Sequence, residues 1–284
     1  MAASGPDQRY GATGVRLLRL SRSSDRHEAR DLTVDVAVEG PFEEAADSEF
    51  RGLVAAETMR NTVYALAVRH GRGEPEAFAL ALTHHFTLEH PRLDRVRVEI
   101  RERAWSPLEV AGKPFGSAFH GPSAAVRLAA VARTGETTRV EAGLERIRLL
   151  KTADSTLRGF ARDRYTTLPD QPDRVLDIEL AARWRYGWAE VPFRAQWHQV
   201  RRVLFDAFAE HTSESAQHTL HVLGRAVLDQ CPVVAEIALT LAHAAPAPLD
   251  LGALGMEASD EIFAPADTRE GVVEAVLRRG ELGS

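Results

Sequence analysis

A single cysteine, Cys231, occurs in 284 residues. A lone thiol can form neither an internal disulfide nor a cysteine-based zinc cluster, and its isolation fits a reducing compartment. Standing before Pro232 at a strand start, it reads as a small buried hydrophobe rather than a nucleophile. Basic residues are not in excess: 35 Lys and Arg face 41 Asp and Glu, for a net charge of -6. That balance excludes the electrostatic footprint of a nucleic-acid binder. No apolar run is long enough to cross a bilayer, and MAASGPDQRYG lacks the basic and apolar regions of a secretory signal. A soluble cytoplasmic protein is the expectation. Glycine-rich phosphate motifs are missing too, as are G-x-S-x-G and H-E-x-x-H. His84, His85 and His90 lack the carboxylate spacing of a metal site and read as helix-face and surface residues.

What is present is alternation. Val15 to Ser21 reads as a strand, and Leu32, Val34, Val36 and Val38 alternate with polar residues until Gly40-Pro41 ends the run. From Glu57 to His70 the period becomes helical, with Met59, Val63 and Leu66 on one face and a Gly-rich break after it. A second helix starts at Pro75, a suitable first-turn residue, with Phe78, Leu82 and His85 together. Val96, Val98 and Ile100 then alternate with arginines, an outward stripe of Arg95, Arg97, Arg101 and Arg103. Val126 to Arg133 makes a strand, and Thr134-Gly135-Glu136 a hairpin turn.

The second half repeats the order. Val140 to Leu150 and Leu176 to Trp184 read as strands, followed by helices through Trp197–Phe208 and Leu220–Val227. A strand carrying Val233, Ala235, Ile237, Leu239 and Leu241 comes next, and Gly271 to Arg278 closes the set. Two units, 1–136 and 137–284, each of the form ββααββ, predict an α+β fold of antiparallel sheets with helices on one face. The open sheet edges call for a covering partner, so a homo-oligomer is expected.

Between the strands of the second unit lies a long polar loop within Leu149 to Tyr186, and loops of this length in compact domains are usually functional. It carries Arg158-Gly159-Phe160, Tyr165-Thr166-Thr167-Leu168-Pro169 and Asp173-Arg174. Around it stand, in order, Arg9-Tyr10-Gly11, Arg60-Asn61-Thr62-Val63-Tyr64, Thr83-His84-His85-Phe86, Gly112-Lys113-Pro114, Ser117-Ala118-Phe119, Ser215-Ala216-Gln217 and Phe263-Ala264-Pro265. This ordered set resembles the urate oxidase (uricase) family. The resemblance implies a tandem T-fold assembling as a tunnel-shaped barrel of four chains, with active sites at subunit interfaces. It also implies chemistry on a small heterocycle without metal or organic cofactor, and the C-terminal Glu281-Leu282-Gly283-Ser284 lacks the peroxisomal tripeptide common in eukaryotic members.

Carried over position by position, the resemblance puts the substrate arginine on Arg174 and the glutamine on Gln217, beside Ala216. A guanidinium fork offers two donors to a carbonyl and ring-nitrogen edge, and a primary amide complements the adjacent amide edge. The competing reading of Arg174 is a loop-anchoring ion pair with Asp170 or Asp173; that of Gln217 is a solvated first-turn residue. Other positions depart from the family. The phenylalanine platform falls on Leu157, the relay lysine on Arg19, its threonine on Ala56 and the adjoining aspartate on Glu57. The asparagine falls on His243 and the relay histidine on Ala245. Arginine stays protonated and cannot act as a base, whereas His243 has an accessible pKa that Glu57 could support.

The expected activity is therefore O2-dependent oxidation of a planar, amide-bearing, purine-like ring, with urate itself a poor substrate. Arg174, Gln217, Leu157, Ala216 and Ala56 would bind it, and His243, Glu57 and Arg19 would handle protons. The alternatives are a non-catalytic T-fold binding or scaffold protein, and hydration or hydrolysis of a similar ring.

Overall fold

A computed structural model describes residues 8–23, 27–40, 53–249, 251–252, 255–256, 261–265, 269 and 271–280. Pro41 and the C-terminal Glu281–Ser284 lie outside the described residues. The chain forms two compact units, residues 1–145 with 185–197, and residues 146–184 with 198–284.

In the first unit, β1 (Gln8–Arg22), β2 (His27–Gly40), β3 (Arg95–Ala104), β6 (Val126–Thr134) and β7 (Thr137–Lys151) are neighbours in that order. Helices α1 (Ala56–His70) and α2 (Pro75–Glu89) separate β2 from β3 in sequence. The alternation seen in the sequence sets the register. Val34, Val36 and Val38 of β2 stand opposite Ile100, Val98 and Val96 of β3, all fully buried. Side chains two apart share a sheet face, so this face carries a continuous apolar layer. Helix α2 covers it across β3 and β6 with Phe78, Leu82 and Phe86, while α1 lies on β1 and adds Met59 and Val63. Each such side chain contributes about 1.5–3 kcal/mol by burial. His85 is only half-buried; Phe86 takes the inward position assigned to it.

A hairpin of β4 (Ser106–Val110) and β5 (Lys113–His120) follows β3 and adds to the expected elements. Pro107, Pro114 and Gly112 disguise it as loop, yet Ala111 and Gly112 both adopt positive φ (52° and 74°), as a two-residue hairpin turn requires. The expected turn after β6 is present: Thr134 pairs with Thr137 across Gly135 and Glu136.

The second unit holds the end of β7, most of β8 (Leu176–Tyr186), most of α3 (Phe193–Glu210), α4 (Ala216–Gln230), β9 (Val234–Ala244) and β12 (Gly271–Arg278). Two short strands, β10 (Ala247–Pro248) and β11 (Phe263–Ala264), pair separately. Leu176, Ile178, Leu180, Ala182 and Trp184 are buried along β8. On β9 the inward phase differs at its start: Val234 is buried while Val233 and Ala235 are half-exposed, and the expected Ile237, Leu239, Leu241 series then holds. Helix α4 packs on β9 and β12 through Leu220, Leu223 and Val227. Gly224 makes the contact close, since a Cβ there would sit 2.6 Å from Leu277 Cδ1. The element order ββααββ, repeated once, is a tandem T-fold.

Candidate functional site

The long loop between β7 and β8 is tied down by backbone hydrogen bonds. Leu157 and Gln171 exchange N–H···O bonds at 2.9 Å in both directions. Nearer its base, the Ser213 amide donates to the Asp154 carbonyl (2.8 Å), the Thr156 amide donates to the Ser213 carbonyl (2.7 Å), and the Arg174 amide donates to the Ser155 carbonyl (2.9 Å). Residues 154–156 thus lie between Arg174 on one side and Ser213 on the other. Two residues beyond Ser213, Ser215 caps α4 by accepting from the His218 amide at 3.0 Å. Serine is a favoured cap because its hydroxyl satisfies an amide that the helix leaves open. Ala216 and Gln217 follow in the first turn, the former buried and the latter exposed. One hydrogen-bonded framework in the second unit therefore carries Leu157, Arg174, Ala216 and Gln217.

Arg174 is the unusual member. It is half-buried, its Nε is fully buried without a hydrogen-bond partner, and no carboxylate among the described residues pairs with it. Burial alone pushes its pKa below the ordinary arginine value. The loop-anchoring ion pair does not form with Asp170, which Arg162 engages at 2.9 Å while also donating to the Leu168 carbonyl at 3.1 Å. Buried cations are normally paired.

His243 sits on the face of β9 that also carries Ile237, Leu239 and Leu241, opposite Gly271 of β12. Its imidazole lies across that glycine: a Cβ at Gly271 would come within 2.2 Å of Nε2. Glycine here creates the space the ring occupies. Ala245 follows the end of the strand and has no functional group.

Arg19, Ala56 and Glu57 belong to the first unit. Ala56 and Glu57 are exposed in the first turn of α1, where no side chain caps the helix. The Arg19 guanidinium has three partners within this unit. Its Nη1 donates to the carbonyls of Gly71 (2.8 Å) and Gly73 (2.6 Å), and its Nη2 lies 3.6 Å from Glu102. Glu102 is nearly fully buried and is also held by Arg30 at 2.6 Å. These contacts close the α1–α2 turn onto the sheet. Burial lowers the pKa of Arg19, with Glu102 acting in the opposite sense.

The uricase family profile matches residues 8–138 and 140–274. The chain belongs to the uricase family. It is 36% identical over 271 residues to the uricase of Arthrobacter globiformis, covering 95% of this chain and 88% of that protein. Against the uricase of Danio rerio the identity is 31% over 277 residues, covering 95% and 93%. The crystal structure of the Arthrobacter globiformis uricase superposes with a TM-score of 0.91 at 35% identity, covering 100% of this chain and 97% of that one. A uricase from Bacillus fastidious, 22% identical, shares the fold at a TM-score of 0.82 and coverage of 98% and 95%.

Within this uricase-family chain, the other candidate residues resolve as packing. The arginine stripe of β3 is largely neutralised: Arg95 lies 3.6 Å from Glu39, Arg97 3.2 Å from Glu141, and Arg101 2.7 Å from Asp35. Cys231 is buried and its thiol is pushed up to about 11 by desolvation, which makes it inert at neutral pH. No cluster that could hold a metal occurs among the described residues, and no helix among them is long and apolar enough to cross a membrane. Two features have no counterpart in the sequence patterns. One is the buried group of Arg127 with Glu76 (2.8 Å) and Glu74 (2.6 Å), where Arg127 also lies over the Trp197 ring. The other is a polar chain behind the α4 cap, joining His211, Thr219 and Ser213.

Proposed function

We propose that this uricase-family chain binds a planar, amide-bearing ring of the urate class and oxidises it with dioxygen, turning over urate itself slowly. The observation that carries this reading is Arg174, half-buried, without a carboxylate partner among the described residues, and fixed beside the start of α4. An anionic ring edge would supply the missing acceptors, and charge-assisted hydrogen bonds of this kind are the strong ones. Gln217 would read the adjacent amide edge, Ala216 would leave room beside it, and Leu157 would pack on the ring face. Leucine gives apolar contact but lacks an aromatic face.

Proton handling falls to His243, with Glu57 of a neighbouring copy as its charge partner. Ala56 offers no hydroxyl to pass a proton or hold dioxygen, which is why urate turnover is expected to be slow. The working form is a homotetramer with sites at subunit interfaces, located in the cytoplasm and acting without a metal or organic cofactor.

A second reading has its own support. Arg19 is consumed by the Gly71 and Gly73 carbonyls, so a protein that binds the ring without turning it over also fits. Calorimetric titration with urate and xanthine beside oxygen-uptake assays separates the two. Binding with uptake supports oxidation; binding alone across the panel supports the binding protein; robust urate oxidation at rates typical of enzymes overturns the reading of Ala56. Product mass tests the hydration or hydrolysis alternative, because addition of oxygen and addition of water differ.

A further inference from the structure

Behind the α4 cap runs a hydrogen-bonded chain whose polarity follows from chemistry. His211 Nδ1 lies 2.8 Å from the Ala207 carbonyl and 3.2 Å from that of Phe208. A carbonyl can only accept, so Nδ1 carries the proton. In the neutral ring Nε2 is then an acceptor, and Thr219 Oγ1, 3.0 Å away, donates to it. Thr219 has one hydroxyl proton, so the Ser213 hydroxyl donates in turn to Thr219 Oγ1 at 2.8 Å. Ser213 and Thr219 are fully buried. Burial lowers the pKa of His211, helped by Lys151 of β7 and His218 of α4, and favours the neutral form. Lys151 itself is buried and donates to the Phe208 and Ala209 carbonyls at 3.2 and 3.1 Å, a cation at the C-terminus of α3.

Ser213 is also the junction of the candidate site. Its backbone bonds to Asp154 and Thr156, and Ser155 between them accepts from the Arg174 amide. Thr219 stands on α4 two residues past Gln217, one turn from the cap. We propose that His211, acting through Thr219 and Ser213, is a positioning residue that fixes Arg174 and Gln217 relative to each other. The chain joins three pieces: the end of α3, the start of α4 and the loop base. The inference rests on the urate-class reading of Arg174 for its ligand, but its structural part can be read without one.

The test uses Thr219→Val, which keeps the shape and removes the hydroxyl, with Thr219→Ser as the conservative control. Urate is the probe in calorimetry, and hydrogen–deuterium exchange reports the amides of Thr156 and Arg174. Loss of one buried hydrogen-bond link is expected to weaken urate binding about tenfold and to speed exchange at those two amides, while amides of β2 and β3 keep their rates. Thr219→Ser should restore both. Wild-type affinity together with wild-type exchange in Thr219→Val overturns the proposal, as does loosening spread evenly over the chain. If the wild-type protein binds neither urate nor xanthine, the functional reading fails, and the exchange arm alone decides the positioning role. Should Thr219→Val not fold, His211→Phe, at the half-exposed end of α3, carries the same expectations.

Discussion

Replacing Arg174 with methionine should move stability and ligand binding in opposite directions. In the free protein its buried Nε lacks a partner, and no carboxylate among the described residues offsets the loss of water. An unsatisfied buried donor costs about 1–3 kcal/mol, and the half-exposed setting argues for the low end. Met keeps the apolar stem without that cost, so Arg174→Met should be about 1 kcal/mol more stable, a rise of roughly 2 °C in a chain of this size. The Arg174 amide remains bonded to Ser155 in the variant, so the loop base is preserved. In the complex the sign reverses. Two charge-assisted hydrogen bonds from the guanidinium fork contribute about 1.5–3 kcal/mol each, and losing both should weaken urate or xanthine binding by at least about 100-fold. Differential scanning calorimetry and titration calorimetry on the same preparation give both numbers. A variant less stable by about 1 kcal/mol or more, the cost of a lost hydrogen bond, would mean that Arg174 is a structural tie. Unchanged ligand affinity would mean that the ring, if it binds, binds elsewhere.

Other expectations follow from the same geometry. Arg19→Met removes two bonds to the α1–α2 turn and leaves Glu102 to Arg30 alone; it should cost about 2–3 kcal/mol in chemical denaturation and leave ring affinity intact, whereas a loss of affinity at full stability would return Arg19 to the site. Gly271→Ala would place a methyl 2.2 Å from His243 Nε2; overpacking of this kind costs about 1–3 kcal/mol, and the His243 ring resonances should shift, which an unperturbed histidine spectrum would refute. Asp177 is held below the ordinary carboxylate value by a hydrogen bond from Arg148 and by the charges of Arg148 and Arg269. Its stabilisation is therefore fully present above the unfolded carboxylate value and is lost as pH falls through the lower folded one. Asp177→Asn should flatten that acid limb in melting curves taken as pH falls through and below the ordinary carboxylate range, and an unchanged limb would assign it to other groups.

Much of the fold was legible because its main rule is local. Period-two runs such as Leu32 to Val38 and Leu176 to Trp184 leave one choice of buried face, and Pro75 marks the start of α2 as its missing amide allows. What escaped were cases where a residue type misleads. Glu102 shares the parity of Val98 and Ile100 and so points inward, but a carboxylate reads as outward until Arg30 and Arg19 are seen to hold it. Arg127 lies in an otherwise apolar strand for the same reason, matched by Glu76 from α2. Pro107 and Pro114 concealed the β4–β5 hairpin.

The candidate site was legible only in part. The family pattern located Arg174 and Gln217, yet whether Arg174 is paired depends on Arg162 capturing Asp170 across the loop, a contact set by three-dimensional closure. Arg19 illustrates the reverse case. Its place in the pattern suggested proton chemistry, while the carbonyls it donates to come from a turn far along the chain. The polar chain from His211 to Ser213 mixes short-range side-chain contacts with backbone bridges to a distant loop, and no linear spacing announces it.

Whether Arg174 is a ring clamp is decided by a crystal soaked with a purine-dione. The ring edge is expected on the Arg174 guanidinium, with Gln217 on the adjoining edge and Leu157 against its face. A ring bound elsewhere would refute the clamp, as would an Arg174 side chain turned to a carboxylate with no ring present at saturating concentration.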